Sequence, residues 1–239
     1  MCTVILLRRP GAAWPLIIAA NRDERLDRPW DTPAAHWPGL IGGRDRLGGG
    51  TWMALGHHGV VAGVLNRPGT LGPEAGRRSR GELPLLAAAA RSAEAGAAAI
   101  AALDASEWRP FNMIVADRHQ AFFLAGLGDG QAQAAALPDG VAMVTAHPPN
   151  DLASPRIARH LPRFRQATPP DPGIDDWAAW ERLLADGGGS QAEALNVPPL
   201  AGFGTVSASI LAFPDRGPPI WRFCAGAPRP GAFLPLPIG

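Results

Sequence analysis

Two short apolar runs open the chain, "CTVILL" at 2–7 and "WPLIIAA" at 14–20, with only "RRPGAA" between them. No other feature restricts the fold as strongly. Pro10 and Gly11 mark a turn, and six residues are too few for the crossover of roughly a dozen that parallel strands need. The pair therefore predicts an antiparallel hairpin, and its near-continuous apolar character predicts burial of both strands.

The same punctuation recurs. "LIGGRD", "GGTWMALGHHG" and "GVVAGVLN" read as Gly-bounded strands, with Thr51, Met53 and Leu55 alternating with Trp52 and Ala54 in the middle one. "FNMIVADRHQAFFLAGL" (111–127) reads as two strands around a turn at 117–119, and "GVAMVTA" (140–146) as another. "GTVSASILAF" and "PIWRFCAG" form a closing hairpin around "PDRGPP". Segment 24–39, with three prolines and no period, reads as an extended loop.

Helices arrive in pairs. The Ala/Leu-rich stretch 80–105 reads as a helical hairpin with its second helix starting near Ser92. Segments 154–166 and 175–187 are amphipathic, and Ser154 followed by Pro155 is a helix-start signal. Trp177, Trp180 and Leu184 sit at helical spacing and are assigned to packing. Strands joined by short turns, with paired helices as covering layers, predict an α+β fold of mainly antiparallel sheets.

Composition removes several classes of function. A net charge of +1 gives no electrostatic footing for nucleic acid or an anionic membrane surface. The longest apolar runs are too short to span a bilayer. The N-terminus loosely imitates a signal peptide, but Arg8, Arg9 and Pro10 interrupt its apolar core, so a cytoplasmic protein is expected. Cys2 and Cys224 make neither a disulfide framework nor a zinc site. "GGRDRLGGGTW" lacks the strand–loop–Lys order of a phosphate cradle, and His57-His58 belongs to a turn. No metal and no cofactor is expected; the partner is a small-molecule substrate or an apolar ligand. No oligomeric state follows from the sequence.

One constellation carries chemistry. A thiol attacks only as thiolate, so something must take its proton. Were Met1 removed, the α-amine of Cys2, with a reference pKa of about 7.7–8.0, would be a base on the same residue. The second strand ends in Asn21, Arg22, Asp23 and Glu24, and the hairpin returns that end toward Cys2. A carboxylate there could hold the α-ammonium group. An Arg could lower the thiol pKa or bind a substrate carboxylate. Taken alone, Glu24, Arg25 and Asp27 fit a solvated turn, and Asn66 fits a turn residue before Arg67-Pro68.

"MCTVIL…LIIAANRDERLDRP" resembles the start of the NRDE family, which includes the transport-and-Golgi-organisation proteins. The likeness continues through "GGRDRLGGGTWMAL", "GVVAGVLNRP", "RSRGEL", "FNMIVAD" and "FGTVSASIL", covering most of the chain in order. The resemblance implies an N-terminal-nucleophile hydrolase of the choloylglycine hydrolase and penicillin V acylase type. With it come a four-layer αββα sandwich, a single domain over 1–239 and cleavage of a non-peptide amide or a thioester. It makes Cys2 the nucleophile, Asp23 its contacting aspartate and Asn66 an oxyanion donor, with Arg22 beside them. Asn21, Trp52 and His147 are expected to meet substrate. Departures are also visible: Ala20 stands where the acylases carry Arg, Ala146 and His147 where a second Asn is expected, and Val206 where many relatives have Arg. Because relatives are linked to haem handling and to acyl-CoA or lipid metabolism, the alternative implied is a non-catalytic carrier using the same cleft.

Overall fold

The computed structural model describes residues 2–238. Met1, whose removal the chemistry at Cys2 would require, lies outside the described residues. Strands β1 (Thr3–Arg8), β2 (Leu16–Arg25), β3 (Trp30–Trp37), β4 (Leu40–Asp45), β5 (Met53–Gly56) and β6 (Val61–Asn66) come first. Helices α1 (Leu83–Ala88) and α2 (Ala93–Ala101) follow, then β7 (Phe111–Ala116), β8 (Ala121–Gly126), β9 (Gln133–Ala136) and β10 (Gly140–Val144). Helices α3 (Pro155–Gln166) and α4 (Ala178–Leu184) precede β11 (Phe203–Phe213), β12 (Ile220–Ala225) and β13 (Leu234–Pro235). The strands make two antiparallel sheets, the α+β class the sequence predicts. Two compact units result: residues up to Arg28 with those from Asp139 onward, and Pro29–Pro138.

The first unit holds a six-stranded sheet in the order β10-β1-β2-β11-β12-β13. The opening hairpin forms as predicted, pairing Thr3 with Asn21 and Arg8 with Leu16. Alternation along the pleat sends Ile5, Leu7, Ile17 and Ala19 to one face, where they pack with Ile157, Leu161, Phe164, Trp180 and Leu184. Trp177, Trp180 and Leu184 are thus core, and Cys224 is a buried free thiol in the same cluster. Helix α3 starts where the sequence signals it: Ser154 Oγ accepts from the Ile157 N–H, with Pro155 at the first turn. Its buried stripe runs Arg156, Ile157, His160, Leu161, Phe164.

Segment 24–39 is not the loop expected. Strand β2 continues to Arg25 because β11 pairs with it along its whole length, from Phe213↔Leu16 to Phe203↔Arg25. Charged side chains hid a strand whose backbone partner lies far away in sequence. Trp30–Trp37 is also a strand despite Pro33. It forms an edge of its sheet, and its ladder with β4 is irregular between Asp31 and Ala34, so the missing proline N–H costs little there.

The second unit is a seven-stranded meander, β3 to β9 in chain order. Helices α1 and α2 place Leu83, Ala87, Ala97 and Ile100 against Val60, Ala62, Met113 and Val115. The motifs "GGTW" and "RGEL" cross here, backbone on backbone. Thr51 N–H donates to Gly81 O at 2.9 Å, and a Cβ on Gly50 would come within 2.4 Å of the Gly81 carbonyl. Strand β9 was not foreseen, since its four residues are exposed and carry no apolar alternation. No described helix is long and apolar enough to cross a membrane.

Candidate active site

Cys2 sits one residue ahead of β1, partly buried, with its Sγ 3.5 Å from the backbone oxygen of Asp23. Burial and then the charge of Asp23 push the thiol pKa up, and the Arg22 guanidinium draws it partly back. The hairpin register places these residues together. Thr3 lies opposite Asn21, which brings the chain just before Thr3 beside the chain just after Asn21.

Alternation then divides the tetrapeptide between two faces. Asn21 and Asp23 share the helix-covered face with Thr3, Ile5 and Ala19, while Ala20 and Arg22 share the other face with Val4. On the helix side the carboxylate of Asp23 is inaccessible and fully engaged. Thr205, directly opposite in β11, donates its hydroxyl to Oδ1 at 2.6 Å. Arg156, from the first turn of α3, donates Nη1 to Oδ2 at 3.0 Å and to Thr3 Oγ1 at 3.1 Å. Its Nη2 reaches Gln191 O at 3.4 Å. Asn21 donates its amide to Leu184 O at 2.9 Å and Leu195 O at 3.0 Å, tying the end of α4 and the following loop to the sheet.

On the opposite face Arg22 is buried to 5% exposure, with Glu24 Oε2 at 3.9 Å. Val206 is the extra residue where the β2–β11 register shifts between Thr205 and Ser207, and its carbonyl accepts from Gly226 N–H. His147 lies in the turn after β10, half-buried, its Nδ1 3.2 Å from Asp151 Oδ2.

The remaining expected residues belong to the second unit. Asn66 is the last residue of β6, opposite Phe111, and the turn that follows is fixed by Thr70 N–H to Arg67 O and by Arg67 Nη1 to Asn112 Oδ1 at 2.6 Å. Trp52 meets Trp30 edge-on, with ring centroids 5.7 Å apart. It also lies over Gly43, where a Cβ would be 2.0 Å from the indole. Of the seven expected residues, then, the first unit gathers Cys2, Asn21, Arg22 and Asp23 around the start of β1. Among the described residues no cluster of three or more His, Cys, Asp or Glu is arranged to hold a metal ion.

Arg156, Thr205 and Thr3 were not anticipated. A signal did exist for Arg156. The stripe 156, 157, 160, 161, 164 faces the core, and an arginine at a core-facing position demands a buried partner.

Two solved structures of similar fold stand out. One is the N-acylethanolamine-hydrolyzing acid amidase ortholog of Caenorhabditis elegans, with TM-score 0.58 and 12% identity, covering 88% of this chain and 92% of that one. The other is a cysteine-to-alanine mutant of the conjugated bile acid hydrolase of Clostridium perfringens, with TM-score 0.56 and 9% identity, covering 100% of this chain and 92% of that one. Both have the N-terminal-nucleophile hydrolase fold, and the fold here is of that type. No curated protein matches the sequence. The family model for Transport and Golgi organisation 2 matches residues 1–169, well over half of the sequence and including every residue from Cys2 through Arg156. By that match the chain belongs to the Transport and Golgi organisation 2 family.

Proposed function

We propose that the protein is a hydrolase of a non-peptide amide, or of a thioester, acting through Cys2 once Met1 has been removed. The observation that carries this is the placement of the Cys2 thiol 3.5 Å from the Asp23 backbone, ahead of a strand braced by Asp23, Arg156, Thr205 and Thr3. A thiol raised by burial is a poor nucleophile without a base at hand, and the freed α-amine of the same residue would be that base. The amine takes the thiol proton as sulfur attacks the carbonyl, then returns it to the leaving group. Water releases the acyl-enzyme. Asp23 and Arg156 hold the strand end in place for this step, and Arg22 is the nearby cation. Asn21 takes a supporting part, since its amide is spent on two backbone carbonyls. Asn66 is assigned to the oxyanion, and Trp52 and His147 to substrate contact.

Fold likeness to two amide hydrolases supports the reaction class. Incubation with acyl-amide and acyl-thioester panels, followed by mass spectrometry, tests it: an acyl adduct on Cys2 is expected. Asn66→Ala should lower kcat about 10²–10³-fold if that side chain donates to the oxyanion. The departures at Ala20, Ala146, His147 and Val206 favour one other reading, a carrier that holds an apolar ligand, such as haem or an acyl chain, without cleaving it. Tight reversible binding with no adduct on Cys2 would decide for the carrier.

A further inference from the structure

Strand β1 has a second neighbour besides β2. Strand β10 pairs with it from Gly140↔Arg8 to Val144↔Val4. Carried two positions further, the same antiparallel register sets Thr145 opposite Thr3 and Ala146 opposite Cys2, with His147 next. The start of α3 ties both chains at that point. Thr145 Oγ1 donates to Ser154 Oγ at 3.4 Å, and two residues on Arg156 donates to Thr3 Oγ1 at 3.1 Å. Cys2 is thus flanked by the end of β2 on one side and by the turn that carries His147 on the other. That turn is built to hold its shape. Asn150 Oδ1 accepts from the Met143 N–H and the Asn150 N–H donates to Met143 O, both at 2.9 Å, so one asparagine stands in for a strand beside β10. It does so in the left-handed region, at φ 59°, which Asn tolerates. The His147 N–H donates to Thr145 Oγ1 at 3.2 Å, and the Ala153 N–H to Asp151 Oδ1 at 2.9 Å. The other oxygen of Asp151 meets the His147 imidazole, Oδ2 to Nδ1 at 3.2 Å.

We propose that His147, oriented by Asp151, is the general base that activates water to release the acyl group from Cys2. The proposal rests on the assignment of Cys2 as nucleophile. A base oriented by a third group, beside a nucleophile, is the recurring arrangement of covalent catalysis. Imidazole suits the task because it takes up and returns a proton near neutral pH. Asp151 opposite Nδ1 favours the tautomer with the proton there and leaves Nε2 as the basic nitrogen. The Ala153 N–H, and to a lesser extent the imidazole, lower the Asp151 pKa against partial desolvation, so the carboxylate keeps its charge beside the ring. At 29% side-chain exposure His147 is reached by water, whereas the carboxylate of Asp23 is at 0%. The α-amine of Cys2 serves acylation, where its proton goes to the leaving group. In the second half of the cycle Nε2 takes a proton from water as the water oxygen bonds to the acyl carbon. The carbon–sulfur bond then breaks, the product leaves as the free acid, and the imidazolium returns its proton to Sγ.

The activated ester p-nitrophenyl octanoate tests this without knowledge of the natural substrate, since it acylates a reactive thiol and releases p-nitrophenolate. The initial burst of p-nitrophenolate reads acylation. Loss of the octanoyl mass from Cys2, followed once excess ester is removed, reads release by water. His147→Gln should slow release about 10²–10⁴-fold and slow acylation far less, so that octanoyl-Cys2 accumulates. Asp151→Asn should slow release to a smaller degree. Added imidazole should restore release in His147→Ala, a rescue that a purely structural role would not give. Release from His147→Gln at the wild-type rate, or equal slowing of both steps, overturns the assignment of His147 while Cys2 stays the nucleophile. Absence of any octanoyl group from wild-type Cys2 would instead remove the nucleophile assignment, and this proposal with it.

Discussion

The two faces of β2 treat the same run of polar residues in different ways. On the helix side the Asp23 carboxylate is held by Arg156 and Thr205, and the Asn21 amide N–H groups by two carbonyls. On the other side Arg22 is buried beside the Cys2 thiol, with Glu24 at 3.9 Å and Ser207 opposite it in β11. Closed networks in a low-dielectric interior rigidify what they join. The helix side thus serves as scaffold, while the opposite side carries Cys2, the proposed nucleophile. Substitutions on the first should cost stability, and on the second reactivity.

The largest effect expected is at the thiol. Cys2→Ala should lower turnover by about 10³-fold or more and abolish alkylation at position 2, with an unchanged melting temperature. A drop in melting temperature would blur the distinction between the faces. Next comes Arg156→Ala, which leaves the Asp23 carboxylate buried without its cation and should cost about 3–5 kcal/mol, read by denaturant unfolding. The double variant Asp23→Asn, Arg156→Met should recover a large part of that loss, as removal of both charges ends the mismatch. If Arg156→Ala were neutral, the network would not be a scaffold.

Acid should attack the helix side as well. His160 has no exposure on α3, its Nε2 donates to Glu193 O at 2.8 Å, and its Nδ1 accepts from Arg163. Burial, with help from Arg163 and Arg159 and against Asp186, lowers its pKa to about 4 from 6.5. Between those values the unfolded chain takes up a proton that the folded chain refuses. This contribution is therefore complete above pH 6.5 and disappears as pH falls toward 4, a loss of roughly 3 kcal/mol. His160→Gln should flatten that part of the stability profile, measured by unfolding at a series of pH values. The smallest effect belongs to Asn21→Ala, which strips donors from Leu184 O and Leu195 O and should cost about 1–3 kcal/mol.

Legibility in the sequence followed the range of the contacts. The Cys2–Asp23 proximity could be read because a six-residue link fixes the hairpin register, and the start of α3 could be read because its cap is local. The true length of β2 could not, for its strand character past Ala20 comes from β11, some 180 residues on: the Asp23–Thr205 contact spans 182 positions. Arg156 was hidden in the same way, 133 positions from Asp23. The departures at Ala20 and Val206 looked like lost support. In the fold, a cation reaches Asp23 from the helix layer, and Val206 is the bulge residue that sets Ser207 against Arg22.

The most direct measurement is the intact mass of the purified, active protein, followed by the mass after acyl-substrate addition. A chain that begins at Cys2 and gains one acyl group on that residue is expected. A protein that turns over substrate while retaining Met1, or that carries the acyl group elsewhere, would contradict it.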